Sequence, residues 1–161
     1  MKNTYCYTRY QLAWLVVLRV LIGWYFLYEG LAKVLTPDWT SFGYLMDSQG
    51  FLSPVFKLLT ENQTVLSIVD FVNIYGLILI GLSLLLGFFD RIGTIGAISL
   101  LVLYCLSHPA LLDVSYVFRP EGSYLWVDKN LIMLGAVVVL MVFPTSRRIG
   151  LDRFIFRKVK E

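Results

Sequence analysis

Eight polar side chains occur at the ends of long apolar runs: Glu29 and Lys33, Asp70 and Asn73, His108, and Asp128, Lys129 and Asn130. The residue types suit one kind of chemistry. Glu29, Asp70 and Asp128 can exchange protons, while Lys33, His108 and Lys129 can hydrogen-bond a carbonyl ligand, with Asn73 and Asn130 as neutral partners. An ionisable group inside a bilayer costs at least ~2.5–3.5 kcal/mol, so such groups face inward, pair with one another and mark functional sites. The layer carries −3 from its acids and +2 from its lysines, a formal charge of −1 with His108 neutral. Two readings of it stand side by side: ion pairs and hydrogen bonds that fix helix register, or the lining of a pocket or proton path. His108 alone, beside Pro109 at a helix end, suits interfacial packing better than a ligand role.

These residues need elements that bring them to one depth. Residues 12–35 form the first such element, and by the helical rise their length is ~36 Å, enough for the ~30 Å hydrocarbon core with some tilt. Arg19, Gly23, Phe26, Gly30 and Lys33 step by 4, 3, 4 and 3 and so share one helical stripe. Small residues on that stripe admit a close neighbour, and its charges meet the neighbour's polar groups. Glu29 lies one turn before Lys33, the favourable order for an i,i+4 ion pair.

Further spans are expected at about 65–89, 92–107 and 125–143, ended by Pro109 and Pro144 where the later two stop. Composition agrees: among 161 residues, 58% are apolar and 16% charged, with mean hydropathy +0.71, outside the range of soluble domains. The expected fold is an all-α integral membrane four-helix bundle, a single domain over 1–161 with a basic cytoplasmic tail over 145–161. Lys and Arg near the span ends number nine on the side of the termini and four on the other, which sets both termini in the cytoplasm. In a bacterium the membrane is the inner one. The N-terminal run, interrupted by Arg19, reads as a retained span rather than a cleaved signal.

The first outer loop, 36–64, is expected to hold two short interfacial helices, opening at Thr36-Pro37-Asp38 and at Ser53-Pro54. It either seals the bundle or acts as a lid over its outer mouth. A turn at Arg119-Pro120-Glu121-Gly122 and interfacial Tyr124 and Trp126 are expected in the second outer loop. Arg19 lies in the cytoplasmic half as a structural intramembrane charge, with Asp90 as its expected protein partner and snorkelling to the headgroups as the alternative. Cys6 and Cys105 form no C-x-x-C, one histidine excludes bis-histidine haem, and no spacing resembles a zinc site, so no metal is expected. No basic patch interleaved with aromatics exists outside the tail, so nucleic acid is not an expected partner; the lipid bilayer is.

Three segments carry a family likeness: RVLIGWYFLYEGLAKVL, the hairpin GLILIGLSLLLGFFDRIGTIGA, and EGSYLWVDKNLIMLGA with FPTSRRIGLDRF after it. In their order they resemble the DoxX family of small four-helix membrane proteins, with Arg19, Gly23, Gly30, Lys33, Lys129, Asn130 and Asp152 at the family-like positions. Asp128 departs from the pattern, which has an uncharged residue there. The resemblance implies a subunit of a quinone-linked membrane oxidoreductase, connected with sulfur compounds or redox stress. It implies a quinone as exchangeable carrier but no intrinsic cofactor, a partner redox subunit or a homo-oligomer, and no agreed catalytic residue. A non-catalytic scaffold whose polar layer is structural is the alternative, and a small transporter a third, weakened by the lack of an inverted repeat.

Overall fold

A computed structural model of the protein describes residues 7–109 and 127–155. The described residues are helical throughout their regular elements. The first helix, α1 (Arg9–Leu35), starts on a reciprocal cap: Thr8 Oγ1 accepts from Gln11 N at 3.3 Å, and Thr8 N donates to Gln11 Oε1 at 3.0 Å. Its far end is closed by Thr36, whose hydroxyl donates back to Ala32 O at 2.8 Å. Here the expected helix start at Thr36-Pro37-Asp38 is corrected. Thr36 is a C-cap rather than an N-cap, because its N–H and its hydroxyl both donate back to Ala32 O and Pro37 brings no N–H to continue the ladder. Asp38 then turns the chain with φ of 53°.

Two short helices follow, α2 (Phe42–Met46) and α3 (Ser53–Glu61), the second with Pro54 in its first turn as expected, although Leu52 rather than Ser53 is its N-cap and the Ser53 hydroxyl donates back to Ser48 O. A small apolar cluster of Leu45, Phe56 and Leu66 pins both to the start of α4 (Gln63–Leu86). Helix α4 ends on Gly87 at φ 61°, a left-handed position that costs glycine little. After that turn come α5 (Asp90–Ser107), α6 (Lys129–Val142) and a last turn, α7 (Asp152–Ile155). Helices α1, α4 and α5 are long and apolar enough to cross a membrane; α6, with 14 residues, is shorter. Tyr124, Trp126 and the turn at Arg119 lie outside the described residues.

The core lies where α1 and α4 meet and α5 and α6 close over them. Phe26, Leu77, Leu84, Ala97, Leu101, Val137 and Leu140 are its fully enclosed members. Helix α1 packs most closely on α4, and glycine sets the approach. A Cβ at Gly81 would lie 2.5 Å from the backbone nitrogen of Leu27, and one at Gly23 would lie 2.8 Å from that of Leu85. Any side chain there forces the helices apart. The stripe expected on α1 is the face that turns inward: Arg19, Gly23, Phe26 and Gly30 are all buried. The opposite faces carry Trp14 and Trp24, 72% and 59% exposed, beside Leu79 and Ile92. Such a wide apolar exterior is an exterior for lipid, and the chain is a membrane protein in contact with the bilayer.

Candidate functional site: a polar, aromatic-walled pocket at one end of the bundle

The C-terminal ends of α1 and α5 and the N-terminal ends of α4 and α6 meet at one end of the bundle. They enclose a cavity of about 380 Å³, within the size range of small-molecule sites. Phe26, Leu77 and Leu101 line it from the core side, and Tyr25, Trp39, Tyr44 and Tyr104 supply aromatic surface. Five of the eight residues singled out in the sequence line it: Glu29, Lys33, Asn73, Lys129 and Asn130.

Asn73 organises one wall. Lys33 Nζ donates to Asn73 Oδ1 at 2.6 Å, and an ammonium, which only donates, thereby fixes which way the amide faces. The amide nitrogen then donates to the Tyr104 hydroxyl at 3.1 Å. Lys33 Nζ also sits 4.7 Å from the Trp39 ring centre, and Lys129 Nζ 4.8 Å from that of Tyr25. Both distances suit cation–π attraction, which is stronger where water is excluded. The expected Glu29–Lys33 ion pair is absent among the described residues. A surface-type pair one turn apart is worth only a few tenths of a kcal/mol, whereas Asn73 and Trp39 offer the half-buried ammonium a short bond and a ring face.

The other three residues do not line the cavity; they hold what surrounds it. Asp70 Oδ1 accepts from Ser41 N at 2.8 Å and from the Ser41 hydroxyl, tying segment 39–44 to α4. His108, buried at the end of α5, stacks on Tyr44 with ring centres 4.0 Å apart, and its Nε2 lies 3.6 Å from Asp47 Oδ2. Burial holds the His108 imidazole below its ordinary pKa although Asp47 pulls the other way, and burial likewise pushes the Tyr44 hydroxyl up. Asp128 caps α6, its Oδ1 accepting from Leu131 N at 2.8 Å, while Oδ2 is buried without a hydrogen-bond partner among the described residues. The expected proton-exchange positions Asp70 and Asp128 are therefore engaged in helix and loop anchoring. Cys105, a free thiol, is half-buried on α5.

The opposite end of the bundle has its own buried charges. Arg19 donates to Thr145 Oγ1 at 2.9 Å and to Ile149 O at 2.7 Å. It is buried, so it does not snorkel, and Asp90 forms no direct ion pair with it among the described residues. The chain after α6 has inserted its hydroxyl and carbonyl instead, and Asp90 and Asp152 act on the guanidinium at longer range. Asp152 itself accepts from Phe89 N at 2.8 Å and Asp90 N at 3.3 Å, capping α5.

Sequence reasoning about charges passed over the aromatic walls and Ser41. Helical spacing carried a signal for two of them: Tyr25 is one turn before Glu29, and Tyr104 one turn before His108. Trp39, Tyr44 and Ser41 come from an irregular connection where no periodicity applies.

No curated protein and no solved structure matches the chain. The DoxX family model matches residues 14–109, which run from the first turns of α1 through α5 and take in Lys33, Asn73 and Tyr104 but not Lys129 or Asn130. That stretch is more than half of the 161 residues, and this chain belongs to the DoxX family.

Proposed function

We propose that this DoxX-family protein is the membrane subunit of a quinone-linked oxidoreductase and that its pocket receives the head of the lipid-soluble carrier. In this reading α6 is the fourth crossing, both termini are cytoplasmic, and the pocket opens on the outer side of the inner membrane with α2 and α3 at the interface. The observation that carries the reading is the convergence of Lys33, Lys129 and the Tyr104 hydroxyl on an aromatic-walled cavity in an otherwise apolar bundle.

The residues fit the group. A flat ring stacks between Tyr and Trp side chains, and its carbonyl oxygens need donors, which the two ammoniums and the phenol are. A quinone, when bound, supplies acceptance of two electrons and two protons. The chain's own part is to hold and orient: Asn73 fixes Lys33, the rings exclude water, and Glu29 holds or delivers a proton at its carboxylate. With two cysteines and no C-x-x-C, the chain has no dithiol relay to offer, so a partner subunit or an exogenous sulfur donor supplies the electrons.

A second reading, a non-catalytic scaffold or adaptor, is favoured by the anchoring roles of Asp70, His108 and Asp128. The two are separated by titrating the protein in lipid nanodiscs with a short-chain benzoquinone, following tryptophan fluorescence against a Trp39→Phe control. Saturable quenching that needs Trp39 and weakens about tenfold in Lys33→Ala supports the first reading, since losing a charge-assisted hydrogen bond costs ~1.5–3 kcal/mol. Absence of quenching, together with a stoichiometric partner in pull-downs, moves the assignment to the scaffold.

A further inference from the structure

We propose that segment 39–44 is a hinged strap over the pocket and that Asp70 is its latch, so that entry to and exit from the cavity are set by a bond outside it. The inference rests on the cavity being a ligand site and adds how that site is regulated.

Three observations converge. Trp39, Ser41, Gly43 and Tyr44 all contribute to the cavity lining, so moving this one segment removes a wall. From residue 42 on the segment belongs to α2, which Leu45 pins to α4; ahead of that it is held by a few point-like contacts. Ser41 gives its backbone N–H and its hydroxyl to the same Asp70 oxygen, Tyr44 leans on the His108 ring, and Trp39 lies over Lys33. Tyr44 also packs edge-on against Tyr104 of α5, with ring centres 6.0 Å apart, and through it alone the segment reaches the core; the Ser41, His108 and Lys33 contacts lie outside the enclosed core residues. The ends of the segment suit a hinge and an anchor. On one side Pro37 and Asp38, the latter at φ 53°, turn the chain sharply out of α1. On the other, Ser48 Oγ donates to Ser107 O at 2.8 Å and fixes the chain to the end of α5. Short hydrogen-bonded straps of this kind open on the μs–ms scale and set ligand exchange rates.

Asp70 is the informative residue because it does not touch the cavity. Weakening it changes how fast the pocket exchanges its ligand while leaving the lining intact. The matching locked form bridges positions 41 and 70 covalently.

The experiment uses the full chain in nanodiscs, with Cys6→Ser and Cys105→Ala to remove native thiols. In this background a Ser41→Cys/Asp70→Cys pair is bridged by a short bifunctional thiosulfonate. Stopped-flow Trp39 quenching by the short-chain benzoquinone reads entry and exit. Both rates are expected to fall at least ~tenfold when bridged, to recover on reduction, and to rise in Asp70→Ala. A reporter independent of any ligand is a Leu101→Cys thiol on the core side of the cavity, reached by a small water-soluble maleimide, carried with Ser41→Asp/Asp70→Lys so that a charge pair replaces the covalent bridge. Its labelling is expected to slow at least ~tenfold relative to Leu101→Cys with Asp70→Ala. Unchanged labelling and exchange rates overturn the strap. Unbridged protein that labels with the expected contrast but never quenches overturns the quinone reading and leaves the strap standing.

Discussion

The two ends of this bundle are made from the same materials and finish differently. At one end Arg19 and Asp90 lie buried beneath the chain that follows α6, which supplies Thr145 Oγ1 and Ile149 O to the guanidinium and lays its own buried Asp152 over the start of α5. At the other, Glu29, Lys33 and Lys129 border a cavity whose remaining wall is a strap held by side-chain contacts. A buried charge is tolerable when backbone or side-chain dipoles fill the space around it. Where a segment of the chain fills that space, charge becomes a structural fastening. Where the space stays open, the same charge is available to a ligand. Residue type does not distinguish the two ends; the presence of a filling segment does.

The contrast is broken most severely at Arg19. Arg19→Ala strips Thr145 and Ile149 of their donor and leaves a cavity in a charged layer, for an expected loss of about 3 kcal/mol or more, beyond a single unmet polar group. Membrane abundance and thermal unfolding in detergent check it, and wild-type levels would show that this end is not a fastening. Next comes Gly81→Leu, which has no room beside Leu27 and is expected to cost about 1–3 kcal/mol through helix separation. The same unfolding assay reads it, with Leu79→Ala on the lipid-facing side as the unaffected control.

Smaller and more telling is the pair Asp152→Ala and Asn73→Ala. Losing the cap at the start of α5 is expected to cost ~1 kcal/mol of stability while leaving the proposed quinone binding alone. Losing Asn73 is expected to weaken binding about tenfold with a smaller change in stability, since it frees Lys33 and Tyr104 inside the cavity. If both variants moved both readouts equally, the division between a fastened end and a binding end would fail.

The mildest effect is that of pH on stability through His108. His108 has its pKa lowered by burial, so the unfolded chain binds the proton more readily than the folded one. The stability contributed by the neutral ring is therefore present above the unfolded pKa of ~6.5 and is lost as pH falls below it toward the folded value. Unfolding temperature is expected to drop between pH 7.5 and pH ~5.5 more steeply in the wild type than in His108→Gln.

Three of the four expected spans and the inward stripe were legible because both rest on period and length. Arg19, Gly23, Phe26, Gly30 and Lys33 declare their common face by steps of four and three, and a charge cannot easily face lipid. The partners were not legible. Asp90 looked right for Arg19 because it has the opposite charge at a suitable depth, and Glu29 looked right for Lys33 because it is one turn away. Both lost to neutral groups on distant stretches, Thr145 with Ile149 and Asn73 with Trp39, which arrive through packing. Thr36 was misplaced for a related reason: Thr-Pro-Asp opens a helix or closes one with equal local logic, and the preceding helix offered the Ala32 carbonyl to both the N–H and the hydroxyl of Thr36.

An amino-acid string of this composition already commits the chain to apolar helices in a bilayer, with a family-like order of motifs and a set of polar groups near the helix ends, because hydropathy and helical period are local properties. Which of those groups border open space and which are fastened depends on what the rest of the chain places beside them. That depends on non-local contacts: the approach of α1 to α4 at Gly23 and Gly81, the return of residues 145–152 under Arg19, and the passage of segment 39–44 across the ends of α4 and α5.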